Sequence, residues 1–381
     1  AYAALAEGQV EDMAPDGTVR GRVAGSRSFI AWMAGDLQAI PPQAGHLLVV
    51  GETFHQPESL AWAHLLLCSV AYQHNDLPTA EVHAEALEQM RYVGTPMAYL
   101  QSALVYASIL QIRDQSEQAR GKVELAKTFL SETRSEGLLP LAQAFQMELA
   151  TRQGDLDAAS QWATSIGPYL PLTLMPYFYA PQLTLPKILL AQGTRASRKA
   201  AANELSRLYD FVTATHNICC TIEVLAMQAL VHQSFGNEPE ALTALGEAVR
   251  LAQPGGFLRV FADLGPEMAY LLGQLSATGV ISDYVERILQ AFVTAPSMQW
   301  SMPTVPPNGQ FGMVEPLSRR EQEILALLAQ RLTAKEIGQE LFISDQTVKR
   351  HRANIYQKLG VHSRHEALST AAALGLLPAS A

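Results

Sequence analysis

The sequence predicts an all-α chain in three stretches: a helical superhelix over residues 1–293, a proline-rich linker over 294–316 and a four-helix module over 317–381. Two observations carry that reading. Turn signals punctuate the body at a period near 40 residues, and four helix-start signals fall in register with four amphipathic runs near the C-terminus. Strand signals are sparse, and the best of them, Leu47 to Val50, reads as part of a helix.

The turns of the body lie at Gly8, Gly35-Asp36-Leu37, Asn75-Asp76-Leu77, Asp114, Gly154-Asp155-Leu156, Gly193 and Gly236-Asn237, about 27, 40, 39, 40, 39 and 43 residues apart. Small residues follow five places after several of them, at Ala80, Ala119, Ala159 and Ala241, where a second helix can pack closely on the first. The runs between, such as LAWAHLLLCSVAYQ and AEVHAEALEQMRYV, keep apolar residues on one helical face. A unit of helix, short turn and helix repeated near this length is the signature of a solenoid, whose concave surface suits peptides, proteins or small ligands. Between two repeats, Trp162, Tyr169, Tyr177, Phe178 and Tyr179 are interleaved with Pro168, Pro171, Pro176 and Pro181. Aromatics on an irregular backbone suit a sugar or aromatic ligand at Trp162, Tyr169, Tyr177 and Tyr179, although core packing of a kinked loop is the commoner use of such a cluster. His46, His55, His64, His74 and His83 are spread roughly nine apart, without a zinc spacing and a third ligand, so no metal is expected.

Residues 294–316 hold five prolines and almost no charge, the composition of a semi-extended tether. Trp300, Met302 and Phe311 within it read as incidental apolar residues.

In the C-terminal module, Ser318 opens SRRE, Thr333 opens TAKE and Ser363 opens SRHE. Each is a Ser or Thr with Glu three residues on, the capping box that satisfies free N–H groups at a helix start. Ser344 caps DQTVKRHRANIYQKL without the glutamate. Four helices of about 12, 8, 15 and 12 residues result, the second and third joined only by Phe342, Ile343 and Ser344. A short helix, a tight turn and a longer basic helix make the arrangement that sets a reading helix in the DNA major groove. In the third helix, Val348, His351, Ile355 and Leu359 form the buried stripe, and Gln346, Lys349, Arg350, Ala353 and Gln357 lie opposite. Lys349, Arg350 and Ala353 are the base-facing candidates, since Arg or Lys to guanine is the commonest specific contact. Ser344, Thr347, Arg352 and Lys358 suit phosphates, which position a helix without reading sequence.

The segment from Leu317 to Leu368 resembles the LuxR-type helix-turn-helix domain. The family's pieces stand at Leu317 to Glu321, Lys335 to Leu341, Ile343 to His351, Asn354 to Val361 and Arg364 to Ala367. Gly338 replaces a usual alanine and His362 a usual polar residue, neither on the DNA face. The repeats in turn resemble the tetratricopeptide-like superhelix of MalT-type regulators, the large ATP-binding LuxR family. The match is closest over Gly236 to Leu272, where Arg259, Phe261, Asp263 and Gly265 spell R-x-F-x-D-x-G. Those relatives usually carry a nucleotide-binding module ahead of the superhelix. Here the only Gly-Lys pair, Gly121-Lys122, lacks a Walker A context, so no nucleotide cofactor is carried over, and the chain reads as a fragment of something longer. The resemblance also implies a fourth helix that pairs two chains. Its run of Ala367, Leu368, Ala371, Ala372, Leu374 and Leu377 packs partly on Ile324, Leu327 and Leu328 and offers Ala371 and Leu374 to a second copy.

Charge agrees with two parts. The chain carries −9 overall; residues 316–381 hold nine Lys and Arg against six Asp and Glu, or +3, which leaves −12 for the rest. Cys68, Cys219 and Cys220 make no disulfide framework and suit a reducing cytosol. No apolar run reaches membrane-spanning length and the start has no secretory pattern, so a cytoplasmic location is expected. The expected function is a sequence-specific transcription regulator. Its partners are double-stranded DNA, a second copy on an inverted repeat, and a small-molecule inducer or protein on the superhelix. A protein-interaction scaffold is the alternative. No nucleophile elbow, zinc motif or phosphate loop suggests an enzyme.

Overall fold

Six turns in which the backbone goes left-handed set the architecture of the body. Gly35, Asn75, Asp114, Gly154, Gly193 and Gly236 take φ between 59° and 84°. Glycine adopts that conformation without a Cβ penalty, and Asn and Asp are the side chains that tolerate it best. In three of them the next residue is an aspartate that caps the following helix, Asp36 accepting from Ala39 N, Asp76 from Thr79 N and Asp155 from Ala158 N. The recurrent Gly/Asn-Asp-Leu therefore stops one helix, reverses the chain and starts the next.

The computed structural model describes residues 17–166, 178–277, 279, 282–293, 319–330, 332–341, 345–358, 361, 364, 367, 368 and 371. The chain falls into two compact units, 1–302 and 303–381. In the first, the six turns join helix pairs: α1 (Thr18–Met33) with α2 (Ile40–Thr53), α3 (Pro57–Gln73) with α4 (Leu77–Gln89), and α5 (Pro96–Ile112) with α6 (Ser116–Glu132). Then come α7 (Leu139–Arg152) with α8 (Leu156–Ser165), α9 (Thr184–Ala191) with α10 (Arg195–Ala214), and α11 (Ile218–Ser234) with α12 (Glu238–Ala252). Ala80, Ala119, Ala159 and Ala241 are all fully buried in the second helix of their pairs, where they allow close approach. Between pairs, His55, Arg134 and His216 also take positive φ, without glycine. Leu47 to Val50 lies in α2, and no strand occurs among the described residues. Nor is any described helix long and apolar enough to cross a membrane.

The unit ends in α13 (Arg259–Ala262), α14 (Pro266–Ala277) and α15 (Ser282–Val293), and α13 closes the curl of the repeats. It packs against α3 and α11, while α1 meets α11. Leu258 N donates to Gln73 O at 2.8 Å, and Tyr72 OH to Asp263 Oδ2 at 2.7 Å across 191 residues of sequence. Arg259, wholly buried, reaches Asp263, Asn75 Oδ1 and the carbonyl of Ala291 on α15. This is the physical role of the Arg259–Asp263 motif. Helices α3, α5 and α11 are buried around most of their circumference, whereas α4, α6 and α12 bury one face.

Inside the curl sits a chain of paired charges. Glu148 accepts from Arg152 at 2.7 Å and from Lys187 at 2.9 Å; Lys187 also meets Glu223 at 2.8 Å, and Arg152 lies 3.8 Å from Asp263. Burial pushes the carboxyls of Glu148 and Asp263 up, but the cations beside them outweigh it and hold both below the usual carboxylate range. Burial likewise opposes the Lys187 cation, and Glu148 and Glu223 more than restore it.

Removing one partner of a buried pair strands the other charge. Lys187→Met is expected to cost about 3–5 kcal/mol. Arg250→Met, which breaks the exposed pair with Glu247, should cost far less. The depressed carboxylates contribute stability above their unfolded pKa of about 4 and lose it as pH falls through their folded values, so the cost of Lys187→Met shrinks in acid. Urea unfolding at neutral and acid pH checks this, and equal costs for the two substitutions would contradict it.

Candidate nucleic-acid interface

The second unit is built from α16 (Arg319–Ala329), α17 (Ala334–Glu340) and α18 (Asp345–Lys358). Arg364, Ala367, Leu368 and Ala371 are helical as well, at the spacing of one helix face. One small core joins them: Ile324, Leu325 and Leu328 of α16, Ile337 of α17, Val348 and Ile355 of α18, then Val361, Ala367 and Ala371. The three-and-four spacing expected for α18 holds at Val348 and Ile355, both fully buried, with His351 half-buried between them; Leu359 lies outside the described residues.

The start of α17 is the expected capping box. Thr333 Oγ1 accepts from Glu336 N, and Glu336 Oε2 accepts from Thr333 N and Oγ1, both at 2.7 Å. Those bonds, Thr333 Oγ1 foremost, hold the Glu336 carboxyl below its ordinary range. The box at Ser318 and the cap at Ser344 lie outside the described residues, as does Ser363. Asp345 stands exposed in the first turn of α18, where the helix dipole favours an anion.

Lys349 is exposed on α18 and pairs with Asp345 at 3.1 Å. An exposed i, i+4 pair is worth about 0.3–0.5 kcal/mol, so it leaves the ammonium free to exchange partners. Arg352 lies over the ring of Tyr356, 6.0 Å from its centroid. The helical backbone of α18 carries Thr347, Arg350, Ala353 and Lys358. Lys349 and Arg350, adjacent in sequence, stand one turn beyond Asp345, and Arg352 and Lys358 further along the same helix.

Two of the expected site residues lie in the interior. Ala371 is fully buried in the core of its own module, and Leu374 lies outside the described residues. Tyr179 is buried too, with its ring edge-on to Phe145 at 5.1 Å, its hydroxyl bonded to Thr184 and its N–H donated to Gln101 Oε1 at 2.9 Å. It is a core residue. Trp162 is half-buried on α8 against the same core, and Tyr169 and Tyr177 lie outside the described residues. The space among Tyr179, Glu148, Arg152 and Lys187 is about 40 Å³, far below the roughly 300–1,000 Å³ of a small-molecule pocket. A recess of about 780 Å³ lies elsewhere in the first unit, rimmed by Phe29, Trp62, Leu66, Arg22, His55 and Glu58. Arg364, legible in the sequence only as part of a family motif, donates from Nη2 to Leu328 O at 2.5 Å and ties the last helix to the end of α16.

The family model described as the MalT-like TPR region matches residues 31–278, and the model described as bacterial regulatory proteins, luxR family, matches 315–371. The chain is 27% identical over 185 residues to the HTH-type transcriptional regulator MalT of Vibrio cholerae, covering 44% of this chain and 19% of that protein. It is 52% identical over 52 residues to the spore germination protein GerE of Bacillus subtilis, 14% of this chain and 70% of that protein. To the transcriptional regulatory protein LiaR of Bacillus subtilis it is 55% identical over 53 residues, 14% of this chain and 25% of that protein. The matched part of the chain thus spans about a fifth of the MalT regulators' length.

Arg364→Ala removes a charged donor from a helix-end carbonyl and should destabilise the module by about 1.5–3 kcal/mol. Thr333→Ala, which opens one capping box, should cost about 1 kcal/mol. Thermal unfolding of the C-terminal transition in the full chain measures both, and a larger loss from Thr333→Ala would reverse the ranking.

Proposed function

We propose that this chain, which belongs to the MalT-like TPR family and carries a C-terminal module of the luxR family of bacterial regulatory proteins, binds duplex DNA as a transcription regulator. The observation that carries the reading is α18 itself: a helix buried along Val348 and Ile355 that bears Lys349, Arg350, Arg352 and Lys358 against Asp345 alone. A scaffold that bound only proteins would have no use for that excess of charge. Lys349, Arg350 and Ala353 face base edges in the major groove, and Ser344, Thr347, Arg352 and Lys358 face phosphates. On DNA, Lys349 exchanges its weak partner Asp345 for a base edge.

Two copies occupy an inverted repeat, with reading helices about one DNA turn apart. With Ala371 turned inward, the contact between copies falls to the outward face of the last helix and to Leu374. One short helix buries less than a standard stable interface, so DNA assembles the pair. The superhelix receives the signal, a small molecule or a protein segment. The recess beside Phe29 and Trp62, whose rings lie edge-on at 5.6 Å, has the size and the mixture of aromatic and polar groups of a ligand seat.

On an operator recovered by selection from random duplexes, Arg350→Ala and Lys349→Ala should each lose about 1–3 kcal/mol, and much less on random DNA. Lys358→Ala should weaken both by similar factors. The assignment of faces fails if all three behave alike on both duplexes. Leu374→Glu should abolish cooperative footprints on two half-sites and spare binding to one; cooperativity that survives in a folded module removes the proposed dimer contact.

A further inference from the structure

His64 on α3 and His83 on α4 stand 19 residues apart in sequence, on two helices of one repeat, which is why no ligand spacing marks them. Their Nδ1 atoms lie 3.0 Å apart and their ring centroids 5.2 Å apart, so the two imidazoles meet nitrogen to nitrogen. One Nδ1–H donates and the other Nδ1 accepts. The meeting is fixed by the backbone: Asn75 turns the chain, Asp76 caps α4, and Ala80 and Ala84 share a core with Cys68, Ala71 and Tyr72 of α3. Both rings are only half-buried, so solvent reaches the pair from one side.

We propose that His64 and His83 form a two-histidine site for a divalent transition-metal ion. Metal–imidazole bonds are about 2.0–2.1 Å long, so two nitrogens held 3.0 Å apart subtend about 95° at the metal. That angle suits adjacent positions of a tetragonal or octahedral ion and falls short of the tetrahedral angle preferred by structural zinc. Copper(II) or nickel(II) is therefore the fitting class. Binding breaks the hydrogen bond between the rings and forms two metal–nitrogen bonds; the donor ring gives up its Nδ1 proton and takes one at Nε2 through solvent, so both imidazoles stay neutral, and each ring turns about its Cβ–Cγ bond to aim its Nδ1 lone pair at the ion. Water fills the remaining positions. Burial pushes both imidazoles down, and His64 is lowered further by His83, so both are neutral at neutral pH and protons compete little for the site. The ion would tie α3 to α4 within the first unit.

The test titrates nickel(II) chloride into the full chain at neutral pH in a non-coordinating buffer, by calorimetry. One saturable site per chain is expected, with little net proton release at neutral pH and with affinity falling as pH drops below the imidazole range. His64→Gln and His83→Gln, each checked for a native far-ultraviolet circular dichroism spectrum, should each weaken it about tenfold or more. The wild type gives an independent reading, because an ion that binds only the folded form must raise Tm. No saturable binding, an unchanged Tm, or binding that survives both substitutions overturns the proposal and leaves the pair a hydrogen bond between helices.

Discussion

A buried charge must be paired, and that constraint sets the form of the first unit. Asp263 sits among Tyr72 of α3, Arg152 of α7 and its own neighbour Arg259. Leaving a carboxylate there without those partners would cost several kcal/mol. The segment after α12 must therefore return to helices laid down some 110 and 190 residues earlier, and the repeats must curl by the amount that brings them together. Gly255 is part of the same closure: a Cβ there would fall 2.2 Å from the carbonyl of Gly35, so only glycine lets the two turns touch. Phe257 and Phe261, both wholly buried, supply the apolar side of the joint. The ion pairs specify which segment docks and in which register, and the aromatic burial holds it there.

The closure also fills the inside of the curl. The inner faces of the first helices, which a superhelix often leaves open to a partner, are here covered by α13 and by the pairs around Glu148. A cavity of about 40 Å³ lies among them, against about 780 Å³ for the recess on α1 and α3. Tyr179 illustrates the difference. An aromatic cluster between prolines has the composition of a binding site, yet Tyr179 serves as packing between α5, α7 and the start of α9.

Local signals were legible in the sequence and long-range ones were not. A left-handed turn with an aspartate cap announces itself within four residues, and so does the box at Thr333 and Glu336; the pairs of the body and the order of α16, α17 and α18 follow from them. His55, Arg134 and His216 turn the chain between repeats without a glycine or asparagine to announce it. Glu148, Lys187 and Glu223 look like ordinary helix charges until three separate helices bring both carboxylates within 3 Å of Lys187. Arg364 shows the same limit at small scale, since its place in a motif says nothing of the carbonyl 36 residues earlier that it grips. Ala371 lies on an apolar face, as its spacing indicated, and which side of that face is spent inside the module depended on where α16 lies.

The two units differ in electrostatic character, −11 for residues 1–302 against +2 for residues 303–381. An acidic body repels a polyanion, whereas the small basic module attracts one. The most direct measurement is the salt dependence of duplex binding by the full chain. With two cations, Arg352 and Lys358, proposed on phosphates in each module, log affinity against log salt concentration should fall with a slope of about −2 per bound module. A slope near zero, or no saturable binding to any duplex at low salt, would contradict the account.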